Sequence, residues 1–126
     1  MIAEYPSLVR KLFLTQNKNK AGIFALRVFI RGKPHVISVD DNIIFDKYGT
    51  PFFAQLSYDG TSAWGMVLDK VWAKVKGNYL QTIIEAYDET ISFLTGSPYF
   101  DYNVNNSTST TIFTLLNASV RADYLL

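Results

Sequence analysis

Apolar residues recur with a helical period between positions 64 and 75, and this pattern constrains the fold more than any other feature. Successive apolar positions lie three or four residues apart, the spacing that places side chains on one face of an α-helix. Lysines gather near the end of the segment and Gly77 follows, as is typical of a helix C-terminus. The sequence therefore predicts a helix with one core-facing surface, formed by Trp64, Val67, Leu68, Val71, Trp72 and Val75.

The residues before this helix predict a short helix followed by β-structure. Helical spacing of apolar residues covers positions 3–14, and a polar loop follows at 15–20. Two stretches rich in β-branched and aromatic residues then predict a hairpin with arms at 23–30 and 36–39. The turn between them is predicted at Arg31–Pro34, and a third strand near Phe52–Ser57.

The residues after Gly77 predict two further helices. The first covers about residues 80–93, and the second begins at a cap supplied by Ser107 or Thr108. Thr61 or Ser62 is predicted to cap the tryptophan-containing helix in the same way. The last residues, 124–126, resemble the start of a strand. The predicted buried set of the final helix is Ile112, Leu115, Leu116 and Val120.

Composition limits the classes of function. A length of 126 residues indicates a single domain, residues 1–126, of the α+β class. Twelve basic residues against eleven acidic ones leave no basic surface of the kind that binds nucleic acid. Glu4 and Pro6 interrupt the region where a signal peptide would be apolar, and no run approaches the ~20 apolar residues of a membrane span. We therefore expect an intracellular protein without membrane insertion.

Catalytic and metal-binding residue types are scarce. The chain has no cysteine, which excludes disulfides, thiolate metal sites and a cysteine nucleophile within it. His35 is the single histidine, and we interpret it as an exposed or rim residue because one titratable group does not make a catalytic constellation. Asp40, Asp41 and Asp46 are candidate ligands for a hard cation, but adjacent strand residues point to opposite faces. The residue chemistry alone does not identify a function.

Three segments carry a resemblance to a known family. They are "AGIFALRVFIRGKPHVISVDD" (Ala21–Asp41), "AWGMVLDKVWAKVKGNY" (Ala63–Tyr79) and "FLTGS" (Phe93–Ser97). Their order resembles the protease core of calpains, the papain-like intracellular cysteine proteases. The first is similar to the family's Ala-Gly-Ile-Phe strand with its Val-Asp-Asp ending, the second to its Trp-to-Tyr helix, and the third to its Phe-Thr-Gly-Gly. The resemblance implies a papain-like core fragment, a β-hairpin plus third strand packed with about three helices, and a cytoplasmic or cytoskeletal location.

The same resemblance places the family's catalytic groups outside this chain. Its glutamine and nucleophilic cysteine precede the segment matched by residues 3–14, and its histidine and asparagine follow the strand matched by 124–126. His35 does not occupy the position of the family's catalytic histidine. A thiolate attack needs cysteine, base and oxyanion donors together, so the catalytic residues expected within this chain are none.

Two departures from the family pattern fall inside the matched region. Ser62 stands where the family has a calcium-ligating glutamate, and a neutral hydroxyl is a poor substitute for a carboxylate. Ile83, Ile84 and Glu85 stand where the family's Ser-Gly-Gly forms a wall of the substrate cleft, and their side chains would fill space that glycine leaves open. We therefore expect no metal and no cofactor, and an altered cleft.

Three hypotheses follow. The first is a non-catalytic calpain-like module that acts as a structural or interaction domain, with protein partners or the remainder of a larger polypeptide covering its apolar surfaces. The second is an internal segment of an active calpain-like endopeptidase whose cysteine, histidine and asparagine lie elsewhere. The third is an unrelated α+β binding domain whose resemblance is accidental.

Overall fold

The chain forms an antiparallel hairpin packed against helices. A computed structural model describes residues 6–56, 60, 62–82, 87–99 and 102–122. Within these ranges the architecture is α+β, as predicted, with one two-stranded sheet and four α-helices. The elements in chain order are α1 (Pro6–Leu12), β1 (Ile23–Ile30), β2 (Lys33–Asp40), α2 (Trp64–Lys76), α3 (Tyr87–Thr95) and α4 (Ser109–Arg121).

The hairpin turn is tighter than predicted. Ile30 pairs with Lys33, so Arg31 and Gly32 alone connect the strands. Both have positive φ, 51° and 73°, which is the signature of a type I′ turn, the turn whose twist matches that of the flanking strands. The predicted four-residue turn ending at Pro34 was wrong, because Pro34 lies within β2.

Pro34 is tolerated in the strand because its missing N–H would not have faced β1. The Ala25 N–H donates to Thr15 Oγ1 and the Ala25 carbonyl accepts from Leu14, so the backbone of Ala25 faces away from β2. Every second residue of an antiparallel pair faces the same way. Phe29 and its partner Pro34 therefore also face away from each other, and no ladder bond is lost.

Arg31 is a strained position that a better turn residue should relieve. A residue with a Cβ loses roughly 1–2 kcal/mol in the left-handed conformation, whereas asparagine is favoured in type I′ turns. We expect Arg31→Asn to raise the free energy of unfolding in urea denaturation by part of this cost, at most about 1–2 kcal/mol. Arg27→Asn, at an exposed mid-strand position, is the matched control. An equal gain from both variants would contradict this explanation.

The core lies between the hairpin and the helices α2 and α3. From α2, Val67, Val71 and Trp72 are buried in it, and Leu68 and Val75 pack against it. The predicted helical face thus meets the sheet along most of its length. Trp64 is half-buried and lies outside this cluster. The remaining members of the buried cluster are Leu26, Val28 and Val39 from the hairpin and Phe93 from α3.

The start of α2 differs from the prediction, whereas its end agrees. Ala63 is the N-cap: its carbonyl oxygen accepts from the Val67 N–H, and its methyl side chain cannot cap the first turn. The predicted cap at Ser62 was wrong because Ser62 lies one residue too early; Thr61, the other predicted cap, lies outside the described residues. Gly77 ends the helix with φ 101°.

A compact loop occupies the region of the predicted third strand. The Asp46 carboxylate accepts from the amides of Tyr48 and Thr50 and reverses the chain. Pro51 then makes a single bridge to Phe45, after which residues 52–56 form no strand. No strand forms in the described part of the predicted range, residues 52–56, and the bridge at Pro51 lies just before it. Ser57 lies outside the described residues.

The two C-terminal helices also differ from the prediction. The helix expected over 80–93 begins as a 3-10 turn at Tyr79–Thr82, and α3 follows from Tyr87; residues 83–86 lie outside the described ranges. Thr108 caps α4 by accepting from Thr111, which confirms one of the two predicted caps. The predicted buried face of α4 was wrong: no residue of this helix is buried, and Val120 is 63% exposed. No other described element packs extensively against α4 to cover it.

Two predictions concern membranes and the chain end. Among the described helices, none has the length and apolarity that a bilayer span requires. The strand expected at residues 124–126 lies outside the described residues.

Candidate functional site

The region where the resemblance places a cleft wall follows directly on α2. Ile83, Ile84 and Glu85, the predicted cleft positions, lie outside the described residues. The 3-10 turn Tyr79–Thr82 leads to them. We therefore describe the surroundings of this turn: the polar side of α2, its contact with α3, and the pocket beneath Tyr79.

Two lysines tie the polar side of α2 to the end of β2. Lys70 Nζ donates to Asp40 Oδ1 at 2.5 Å and to the Asn42 carbonyl oxygen at 2.6 Å. One turn later, Lys74 Nζ donates to the Ser38 carbonyl oxygen at 2.6 Å. Both cations thus reach the strand from the same side of the helix, as i, i+4 residues do. This arrangement fixes the position of α2 along the hairpin.

The Asp40 carboxylate is stabilised in its charged form. The hydrogen bond from Lys70, followed by the backbone N–H of Asn42, lowers the pKa of Asp40 from 3.8 to about 2. Because the Asp40 side chain is 54% exposed, water screens this pair and its energetic contribution is small. Its main effect is to orient the two chain segments.

Acid titration should detect the contact between Lys70 and Asp40. A carboxylate whose pKa is lowered on folding stabilises the protein above its unfolded pKa and loses that contribution as pH falls through its folded pKa. For Asp40 the window runs from 3.8 down to about 2. We expect the difference in unfolding free energy between wild type and Asp40→Asn to shrink across this window in urea titrations. Lys70→Met removes the largest cause of the lowered pKa and should weaken this pH dependence, while the part due to the Asn42 N–H remains. An unchanged acid profile in both variants would contradict the assignment.

The contact between α2 and α3 combines an aromatic pair with a charge. The rings of Trp72 and Phe93 lie edge to face with centroids 4.3 Å apart. Lys76 Nζ lies 4.8 Å from the Trp72 ring centroid and 2.5 Å from Glu89 Oε1. Edge-to-face rings and a cation over an indole are both favourable geometries. The two helices that flank the predicted cleft positions are therefore joined.

A small pocket lies beneath the turn that follows α2. The rings of Phe53 and Tyr79 stack at 4.2 Å, and Ile44, Met66 and Asp69 complete much of the lining. Burial raises the pKa of the Asp69 carboxyl, although the N–H of residue 54 bonds its oxygen and opposes this shift. Burial, with a smaller effect of nearby carboxylates, raises the pKa of Tyr79. One half-buried carboxylate beside a phenol is a packing arrangement and supplies no nucleophile–base pair.

The candidate metal ligands do not converge. Asp40 bonds Lys70, and Asp46 bonds the amides of its own loop, while the Asp41 carboxylate lies against Gly22. In the described ranges, no three histidine, aspartate or glutamate side chains come together as a metal site would require. Ser62, at the predicted calcium-ligand position, is half-buried just before the start of α2.

His35 lies where the sequence predicted, whereas two contacts of α2 were not predicted. His35 is exposed in β2, opposite Val28, as expected for a rim residue. The bonds of Lys70 and Lys74 to β2 were not predicted, since they join positions about thirty or more residues apart. The i, i+4 spacing of the two lysines beside the apolar face indicated that both lie on one side of the helix, but it did not identify the groups they bond.

Comparison with known proteins supports the resemblance. A family model described as "Calpain family cysteine protease" matches residues 1–126. The chain is 33% identical over 73 residues to "Calpain-type cysteine protease DEK1" of Zea mays, covering 58% of this chain and 3% of that protein. It is 32% identical over 71 residues to "Calpain-type cysteine protease ADL1" of Oryza sativa subsp. japonica, covering 56% of this chain and 3% of that protein. The chain thus belongs to the calpain family of cysteine proteases.

Proposed function

We propose that this chain is a non-catalytic calpain-family module, which acts as a structural or interaction domain within a larger protein or assembly. The main support is a contrast between the packed hydrophobic core of this chain and the residues that proteolysis would need. The helix–hairpin core is packed around Val71, which is fully buried, and Trp72. The chain has no cysteine, and isoleucine and glutamate replace the glycines that the family pattern places at the cleft wall.

The exposed surface of α4 supports an interaction role. Phe113 is 69% exposed and Val120 63% exposed, on a helix without buried residues. Large apolar side chains gathered on one exposed element are typical of protein interaction surfaces. We therefore propose protein partners, or the remainder of a larger polypeptide, as the groups that cover this helix.

A second function has one observation in its favour. Both named relatives are calpain-type cysteine proteases, and the matched segment makes up only 3% of each. An internal segment of an active endopeptidase would show the same similarity, with its catalytic groups supplied by other parts of the polypeptide. The whole polypeptide must therefore be tested.

Peptide cleavage by the natural polypeptide that contains this segment distinguishes the two functions. Fluorescently labelled casein would be incubated with it in calcium or in EDTA, with and without prior alkylation by iodoacetamide. A non-catalytic module predicts no cleavage that depends on both calcium and a free thiol. Cleavage with both dependences would contradict the proposal and establish the second function. A conventional calpain assayed in parallel verifies the conditions.

Calcium independence is a separate part of the proposal. Calcium binds preferentially to sets of carboxylate oxygens, and Ser62 offers a hydroxyl in place of one. A bound ion stabilises the folded state that holds it. We expect the thermal midpoint of this chain to be the same in calcium as in EDTA, with magnesium as the control for general ionic effects. A calcium-specific rise in the midpoint would contradict this expectation.

A further inference from the structure

We propose that the pocket beneath Tyr79 is a docking site for a lysine side chain on another polypeptide segment, whose ammonium group pairs with Asp69. The pocket lies between α2, the loop that follows β2 and the turn Tyr79–Thr82. The inference is independent of the proposed function, because it concerns which side chain the pocket accepts and not whether the chain takes part in proteolysis. Three properties of the pocket support it: its charge, its size and its rim.

The packing around Asp69 leaves a half-buried charge that no described cation compensates. Its Oδ2 accepts from the Ala54 N–H at 3.4 Å, a long hydrogen bond, and it belongs to neither of the ion pairs between described residues. The adjacent Lys70 instead bonds Asp40 and the Asn42 carbonyl oxygen. A carboxylate that has lost part of its hydration is stabilised by a cation that enters beside it.

The aromatic side of the pocket also favours a cation. The rings of Phe53 and Tyr79 stack with centroids 4.2 Å apart, and both residues line the pocket beside the carboxylate. Burial raises the pKa of Tyr79, and the negative charges of Asp69 and Asp40 raise it further. Negative potential therefore extends from Asp69 across the pocket. Carboxylates and aromatic ring faces both attract positive charge, so a cationic ligand matches this lining better than an anion does.

The size of the pocket selects the kind of cation. The cavity volume is about 10 Å³, which is room for about one water-sized group. A lysine ammonium is a compact point charge, whereas the guanidinium of arginine is a broad planar group. Calcium prefers several oxygen ligands, and Asp69 is the single carboxylate among the residues that line the pocket. An ammonium group therefore fits the available space and ligands best.

The rim of the pocket indicates a lysine on a polypeptide rather than a free amine. Ile44 lines the pocket and is exposed, and the exposed Phe52 ring lies 5.1 Å from the ring of Phe53. Leu80, which follows Tyr79, is 71% exposed. A lysine buries its apolar stem along such a surface and places its charge at the end. Apolar residues beside the lysine would cover the rest of the rim.

Three peptides that differ in one side chain test the selectivity of the pocket. Acetyl-Leu-Lys-Leu-amide, its Nε-acetyl-lysine form and acetyl-Leu-Arg-Leu-amide would be titrated into the ¹⁵N-labelled chain at constant ionic strength, with the Ala54 and Tyr79 amides followed by NMR. We expect saturable shifts with the lysine peptide and at least about tenfold weaker binding of the acetylated form, which lacks the charge. The arginine peptide should also bind more weakly.

Each other outcome of these titrations would overturn the proposal. Equal affinity for the lysine and acetyl-lysine peptides would mean that charge plays no part. An arginine peptide that binds as tightly as the lysine peptide would contradict the assignment to lysine. No binding of any peptide would mean that the pocket holds water alone. n-Butylammonium, a lysine side chain without a peptide, should bind more weakly than the lysine peptide; equal affinity would mean that the apolar rim is not a docking surface.

Asp69→Asn tests the residue that carries the charge. Asparagine keeps the shape of the side chain and an acceptor for the Ala54 N–H, so the loss of charge is the main change. The affinity for the lysine peptide should fall at least about tenfold. Asp41→Asn, the same charge change at an exposed residue outside the pocket lining, is the matched control and should bind as wild type. An equal effect of the two substitutions would overturn the proposal.

Titration of wild-type Asp69 gives an answer even if Asp69→Asn fails to fold. Burial raises the pKa of the Asp69 carboxyl, and a cation beside it favours the charged form. Saturation with the lysine peptide should therefore lower the pKa of Asp69, as measured from its side-chain ¹³C carboxyl signal. The titration of Asp40, which is already paired with Lys70, should stay the same. An Asp69 pKa that does not change at saturation would overturn the proposal.

Discussion

Trp72→Ala is expected to lower the free energy of unfolding by about 3–5 kcal/mol, the typical cost of removing a large buried aromatic side chain. Trp72 is 8% exposed, lies edge to face with Phe93 and carries Lys76 over its ring. Its removal leaves a cavity at the contact between α2 and α3 and releases both partners. Guanidinium denaturation followed by far-UV circular dichroism would measure the loss.

Trp64 is the matched control for this prediction. It belongs to the same helix and the same predicted apolar face, but it is half-buried and outside the core cluster. Trp64→Ala should therefore cost clearly less than Trp72→Ala, because fewer atoms leave an apolar environment. If the two substitutions cost the same, the position of the core inferred from burial would be wrong.

Trp64 and Trp72 also show what sequence periodicity can and cannot predict about burial. The three- and four-residue spacing placed a helix at 64–76 and indicated the face that meets the sheet, because helical geometry alone sets that period. Periodicity does not determine where along that face the neighbouring elements end. Trp64 lies at the first position of the helix, outside the cluster that Val67, Val71 and Trp72 join.

Two of the predictions that failed depended on a partner element. The apolar face of α4 has the same spacing as that of α2, yet no residue of α4 is buried, because its burial depends on which elements pack against it. The third strand failed for a similar reason: the Asp46 side chain satisfies the amides of its own loop, and only one bridge to Pro51 remains. Local side-chain bonds of this kind compete with strand pairing.

The sequence proposes a position for the candidate site along the chain but not its contacts. Family resemblance placed the cleft at Ile83, Ile84 and Glu85 and the lost calcium ligand at Ser62, and both remain predictions. The bonds from Lys70 and Lys74 to β2 follow from three-dimensional packing, and a residue-by-residue pattern carries no information on which carbonyl a lysine reaches.

Gly96→Ala is expected to lower the free energy of unfolding by about 2–5 kcal/mol, through two separate costs. Gly96 has φ 74°, a conformation that costs a residue with a side chain roughly 1–2 kcal/mol. An added Cβ would also lie 2.7 Å from Phe29 Cδ1 and 2.9 Å from two further ring carbons, well inside van der Waals contact. Forcing the ring aside adds an overpacking cost of about 1–3 kcal/mol.

Gly49→Ala separates the two costs. Gly49 has φ 81° and nothing within 4 Å of an added Cβ, so its substitution carries the conformational cost alone. The excess of Gly96→Ala over Gly49→Ala in urea denaturation therefore measures the contact with Phe29. In a Phe29→Leu background this excess should shrink, since leucine is smaller and lacks the rigid ring. Equal effects at the two glycines would show that the end of α3 does not pack against β1 as the structure places it. The Phe93–Ser97 segment would then carry a turn conformation without a packing role.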